Sequence, residues 1–217
     1  MVAKQEKNPH ILSWLNRNFP SGKNYLVAQN DVEQINLYLY DLLIAPENSG
    51  RKHVIWGEAA HQLSLIGDKL GWVPNRLQAA FLADTVEMEI AEADAARQKQ
   101  IQSEEQNLEA SRLLLVQFDL LYLAQRNPYF LSEGESKLIW FLTQWAKKPS
   151  YFIIGYLPLS LSKKRTNEVV NFLKQAADND HNKSTIILGY LPAQIDWLNG
   201  LLINHNWTTI RSLSADE

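Results

Sequence analysis

Tyr151-Phe152-Ile153-Ile154-Gly155-Tyr156-Leu157-Pro158 returns further along the chain as Thr185-Ile186-Ile187-Leu188-Gly189-Tyr190-Leu191-Pro192. Each copy is an apolar run too short for a helix, closed by a Gly and then a Pro. Between them, Ser162 to Asp180 is long enough for a helix and carries Val169, Val170, Phe172 and Leu173. Two short strands joined by a helix-length crossover make a β-α-β unit with parallel strands. The fold class is therefore α/β. The same pattern points to one sheet edge, because open α/β sheets bind ligands beyond the carboxyl ends of their strands.

Outward from that unit, strands are expected at Tyr25 to Ala28, His53 to Trp56, Leu113 to Phe118 and Trp207 to Ile210. Leu113 to Phe118 is the most hydrophobic run and is expected to be the central strand. Helical spacing is read in Ile11, Leu12, Trp14 and Leu15, and after Asn30 or Asp31 with Val32, Ile35, Leu39, Leu42 and Leu43. Further helices are read from Gly57 to about Leu70, from Arg76 through Leu77 and Phe81, and from Glu135 to Lys147. Gly71 and Pro74 read as a turn. Strands and helices alternate, and no Pro-, Gly- or Ser-rich linker interrupts them. Residues 1–217 are thus expected to form one domain, with a mostly parallel sheet of about five or six strands flanked by helices.

Composition narrows the function classes. With 217 residues and 46% hydrophobic content, the chain can bury a substantial core. A net charge of −3 argues against a dedicated nucleic-acid binder. The clusters Arg51-Lys52, Lys147-Lys148 and Lys163-Lys164-Arg165 read as solvated loop and helix-start charges. The absence of Cys excludes disulfides, thiol chemistry and Cys-ligated metals. No apolar stretch approaches the length that spans a bilayer, and Met1 to Pro9 lacks the apolar centre of a signal peptide. A cytoplasmic, soluble protein is expected. Residues 84 to 109 carry eight acids against two bases, a local net of −6. This segment reads as an acidic excursion near 84–110, either a solvated helix or a mobile loop, or an arm that docks on a basic partner.

For chemistry, the run Val54-Ile55-Trp56-Gly57-Glu58-Ala59-Ala60-His61-Gln62-Leu63-Ser64 stands where a phosphate-binding loop would stand. That loop needs Gly, four residues, Gly, Lys, then Ser or Thr. Gly57 and Ser64 hold the first and last places, but Gln62 and Leu63 replace the second Gly and the Lys. Leu113 to Asp119 has the form of an apolar strand ending on a magnesium-binding Asp. Over roughly residues 24–190 this layout resembles a P-loop NTPase core of the AAA or RecA type. The resemblance is one of topology and implies a relative that has lost the motifs of hydrolysis.

Other signatures are missing. No Gly-x-Gly-x-x-Gly follows a strand, and no Gly-x-Ser-x-Gly elbow occurs. The five His, at 10, 53, 61, 181 and 205, lack paired metal-ligand spacing. Glu58 and Asp119 could meet at neighbouring strand ends as a carboxylate pair. Tyr156 and Tyr190 leave the two echoed strands on one edge, where aromatic rings can stack on a base or grip a peptide.

Two functions follow as expectations. The first is a non-catalytic, pseudo-enzyme subunit or adaptor of a larger multiprotein assembly, such as a bacterial secretion, replication or defence machine. It would bind other proteins through Trp14, Trp140, Tyr156, Tyr190 and Trp197, and through Glu87, Glu89, Glu92, Glu104 and Glu105 in the acidic segment. This reading carries no catalytic residue, cofactor or metal. The second is a nucleotide-binding protein or enzyme with a degenerate P-loop-like site at the strand ends, lined by Gly57, His61, Ser64, Asp119, Tyr156 and Tyr190.

Overall fold

A computed structural model describes residues 11–14, 17–20, 22–28, 70–73, 81–95, 103–155, 161–179, 184–189, 198, 200 and 207–210. In chain order the elements begin with strands β1 (Ile11–Trp14), β2 (Arg17–Pro20), β3 (Asn24–Ala28) and β4 (Leu70–Val73). Helices α1 (Val86–Ala95) and α2 (Glu104–Gln117) follow, then two single 3₁₀ turns (Leu121–Leu123 and Pro128–Phe130) and α3 (Glu133–Ala146). The echoed unit is β5 (Tyr151–Gly155), α4 (Lys163–Asn179) and β6 (Ser184–Gly189), and β7 (Trp207–Ile210) is the last strand.

The five strands of the main sheet lie in the order β4-β5-β6-β3-β7, and every pairing in it is parallel. The β-α-β reading of the echo holds, with Tyr151 opposite Ser184 and Gly155 opposite Leu188. All of β5 is buried, as expected for a strand covered on both faces. The expected strands at Tyr25 to Ala28 and Trp207 to Ile210 are β3 and β7. His53 to Trp56 and the helices expected after Asn30 and Gly57 lie outside the described residues.

The central strand is not the one expected. Leu113 to Phe118 belongs to the end of α2, and Leu113 and Val116 are 64% and 54% exposed. A four-residue apolar run does not distinguish strand from helix. Here the upstream residues decide. Ser103 Oγ accepts from Gln106 N at 3.2 Å while Gln106 Oε1 accepts from Ser103 N at 3.1 Å, a reciprocal cap. The helix formers from Glu104 to Ala110 then carry the helix into the Leu run. It stops where Asp119 turns to φ 52°, a left-handed geometry that Asp tolerates.

Two other expectations are corrected. Ile11 to Trp14 is a strand, paired antiparallel with β2 so that Ile11 faces Pro20 and Trp14 faces Arg17. Leu70 to Val73 is an edge strand rather than a helix end and turn. Gly71 is needed there for close approach, since a Cβ on it would lie 2.6 Å from the Phe152 ring and 2.8 Å from Pro149. The hairpin is tied to the sheet at the strand starts. Tyr151 Oη donates to Phe19 O at 2.8 Å, and Phe19 meets the Tyr25 ring edge-on at 5.0 Å.

One hydrophobic cluster joins sheet and helices. Phe141 of α3 sits at its centre, 5.8 Å from Phe118, 5.3 Å from Phe152 and 5.8 Å from Phe172, all edge-to-face.

Candidate functional site at the carboxyl edge of the sheet

Parallel pairing brings every strand exit to one edge. Ala28 lies opposite Gly189, and Gly155 lies one strand further out, opposite Leu188. The chain steps inward from β4 through β5 to β6, next to β3, and then passes over β3 to reach β7. Connections therefore leave the neighbourhood of β3 in opposite directions. Such a point opens a crevice beyond the strand ends, where open α/β sheets place ligands. The switch strand is β3, so the segment that continues it is the one to compare with a phosphate loop. That segment, Gln29-Asn30-Asp31-Val32-Glu33-Gln34, contains neither Gly nor Lys. Gly57, Glu58, His61, Ser64, Tyr156, Tyr190 and Trp197 lie outside the described residues.

The described part of this edge lies at the end of β5. Val73, Lys137, Phe141, Ile154, Gly155 and Leu161 enclose a cavity of about 10 Å³, room for a single water. Lys137 is only 4% exposed. Burial among apolar groups pushes its ammonium below the usual lysine range, partly offset by Glu133. Sequence reasoning passed over Lys137, although its spacing carried a signal. It stands four residues before Phe141 and so falls on the apolar face of α3.

Two helices begin beside this cavity. Ser132 caps α3, with Glu135 Oε2 accepting from Ser132 N at 2.9 Å and from its Oγ at 2.7 Å. The backbone and hydroxyl of Ser132 hold the Glu135 carboxyl below the usual range, aided by Tyr122 Oη at 3.1 Å and opposed by burial. α4 begins with Lys163, Lys164 and Arg165 and has no acid in its first turn. Cations at a helix N-terminus oppose the helix dipole, so this arrangement concentrates positive potential at the sheet edge. Arg165 is committed internally, donating to Phe118 O at 2.6 Å and Glu168 Oε2 at 2.7 Å. Asp119 is not on a strand end; it follows α2, close enough to Arg165 to act on its charge.

The remaining sequence-derived positions separate into two groups. Trp14 is the last residue of β1. Trp140 is half-buried and braces α3 against β4. Its Nε1 donates to Trp72 O at 2.9 Å and its ring meets Trp72 and Phe81 edge-on at 6.0 Å. The described parts of the acidic segment lie mostly in α1 and α2, which pack against each other. Glu87, 4% exposed, accepts from Arg112 Nε at 2.7 Å and Nη2 at 3.2 Å, and from Gln125. Arg112 holds the Glu87 carboxyl below its ordinary range, aided by Gln125 and opposed by burial. Glu89 Oε2 accepts from Leu82 N and Ala83 N at 2.8 and 2.9 Å. Buried Asp94 meets Lys148 Nζ at 2.9 Å, an electrostatic contact without hydrogen-bond alignment. Glu92, Glu104 and Glu105 are exposed. No group of three or more His, Asp or Glu among the described residues is placed to hold a metal ion.

No protein-family model matches the chain, and no curated protein matches it either. Solved structures do. An ATP-binding cassette captured as a dimer after hydrolysis, with ADP and phosphate, superposes with a TM-score of 0.66 at 13% identity, over 88% of this chain and 89% of that one. The cbiO1 protein of Clostridium perfringens, part of the ABC transporter complex cbiONQ, gives 0.60 at 14% identity, over 81% and 70%. A metal-chelate type ABC transporter in an inward-facing conformation gives 0.58 at 16% identity, over 90% and 71%. At these identities the likeness concerns the fold. The chain has an α/β fold like that of ABC ATPases, with a mostly parallel five-stranded sheet flanked by helices.

These neighbours correct the adaptor expectation. The fold is shared with ATP-binding subunits, and that overturns the non-catalytic adaptor and pseudo-enzyme expectation. Among the described residues no helix is long and apolar enough to cross a membrane.

Proposed function

We propose that this protein binds a nucleoside phosphate, ATP in the first instance, at the carboxyl edge of its parallel sheet. The observation that carries the reading is the strand order, with β3 at a switch point between β6 and β7, in a fold like that of ATP-binding cassettes. The basic first turn of α4 and the ammonium of Lys137 add positive charge near the same edge, as polyphosphate requires. The site is degenerate. Neither Gln29 to Gln34 nor Gly57 to Ser64 supplies both the second Gly and the Lys of a phosphate loop, so affinity is weaker than that of a full P-loop. By analogy with the transporter subunits of the same fold, the protein works in a complex with other chains, on the cytoplasmic side of a membrane.

Thermal unfolding of the full chain with magnesium and ATP, ADP or GTP tests this. A nucleotide at a hundredfold excess over its Kd raises the melting temperature by about 5–10 °C for a chain of this size. An unchanged melting temperature across the panel up to millimolar nucleotide overturns the proposal. Phosphate release measured on the same samples reports turnover.

A further inference from the structure

Magnesium at a nucleotide site seeks oxygen, and is held by one or two carboxylates together with the phosphate oxygens. In phosphate-loop enzymes the protein ligands are a Ser or Thr of the loop and an Asp at a strand end. The donor set at this sheet edge does not fit that ion. All five strands of the main sheet end on residues without a side-chain oxygen, namely Ala28, Val73, Gly155, Gly189 and Ile210, and none is followed directly by an Asp or Glu. The segment that continues β3, Gln29 to Gln34, has no Ser or Thr. Asp119 follows α2 rather than a strand and acts on Arg165. Glu168 accepts from Arg165 at 2.7 Å, and Glu135 accepts from Ser132 and Tyr122.

Ammonium groups stand there instead. Lys137 lines the cavity at the end of β5 together with Gly155 and Leu161, and two residues beyond Leu161 the exposed Lys163 and Lys164 open α4. We infer that the protein binds its nucleotide as the metal-free polyphosphate, with these lysines in the role that magnesium fills elsewhere. The inference rests on the nucleotide-binding reading above and adds to it the form of the ligand. Lys163 and Lys164 can meet phosphate oxygens directly, since charge-assisted N–H bonds to phosphate are among the strong ones. Lys137 is buried, so its charge acts through the apolar residues around it rather than by contact, where screening by water is weak. The same positive charges repel a divalent cation that no oxygen ligand holds.

The test is thermal unfolding of the full chain with ATP in EDTA and again with excess magnesium, each against the same buffer without nucleotide. ATP in EDTA at a hundredfold excess over its Kd raises the melting temperature by about 5–10 °C. Excess magnesium makes the shift no larger, because it cancels part of the charge that the lysines attract. Lys163→Gln with Lys164→Gln weakens binding in EDTA about threefold. Lys137→Met acts in the same direction, and the exposed pair keeps the test readable if that variant fails to fold. A shift that magnesium enlarges, or that EDTA abolishes, overturns the inference and leaves the nucleotide reading standing. It would point to Asp31 or Glu33 after β3, outside the described residues, as metal ligands. Unchanged affinity in EDTA for the lysine variants also overturns it. No shift in either buffer overturns the inference and the nucleotide reading together.

Discussion

The centre of the sheet and the α1–α2 pair are assembled by different forces. β5 and β6 place Phe152, Ile153, Ile154, Ile186, Ile187 and Leu188 in the interior and bring almost no charge with them. α1 buries Glu87, Glu89 and Asp94, and each acid has a dedicated partner: Arg112 with Gln125, the Leu82–Ala83 backbone, and Lys148. Apolar burial is non-directional and scales with area. A buried carboxylate is tolerated only where donors are aimed at it. The first region should therefore respond to changes in volume, and the second to the loss of single partners and to pH.

The largest effect is expected in the sheet region. Phe141→Ala removes the ring that touches Phe118, Phe152 and Phe172, and should cost about 3–5 kcal/mol in denaturant unfolding. A cost below about 1 kcal/mol would show that the core is not continuous across α2, α3 and β5. Arg112→Ala leaves Glu87 buried with Gln125 alone and should cost about 1–3 kcal/mol. If Arg112→Ala costs more than Phe141→Ala, the ranking of the two regions is reversed. Ser132→Ala removes the α3 cap and should cost about 1 kcal/mol.

Acid should separate the regions without mutation. Glu87 and Glu135 are held below the ordinary carboxylate range in the folded state. The stability they add is complete above the unfolded carboxylate value and is lost as pH falls through the depressed folded values, below about pH 4. Arg112→Ala should flatten this acid limb, and Phe141→Ala should leave its shape unchanged. The smallest effect is on ligand affinity. Reversing Lys163 and Lys164 to Glu should weaken nucleotide binding about fivefold with little change in stability, since both are exposed.

The two regions also differed in how much could be read from residues. The echoed strands and their crossover helix match the sequence reading to within a residue or two. Leu113 to Phe118 did not, because an apolar tetrad fits either period and the reciprocal cap ten residues upstream decided it. The acids of α1 read as part of a solvated helix, a mobile loop or a docking arm, whereas Glu87, Glu89 and Asp94 are buried. The strand-exit edge was legible as a place. Of its described charges, Lys137 was not singled out, and Lys163, Lys164 and Arg165 read only as solvated charges, since spacing along the chain does not say what a charge faces.

The sequence by itself determined the α/β class, the β-α-β unit and the absence of a complete phosphate loop, because these depend on local periods, turn residues and spacing along the chain. Only the tertiary structure decided that β3 is the switch strand and that the acids of α1 turn inward. Those outcomes depend on which distant residues meet: Ala28 with Gly189, Glu87 with Arg112, Gly71 with Phe152. Strand order and charge pairing are properties of contacts between segments far apart in the chain, and no local pattern encodes them.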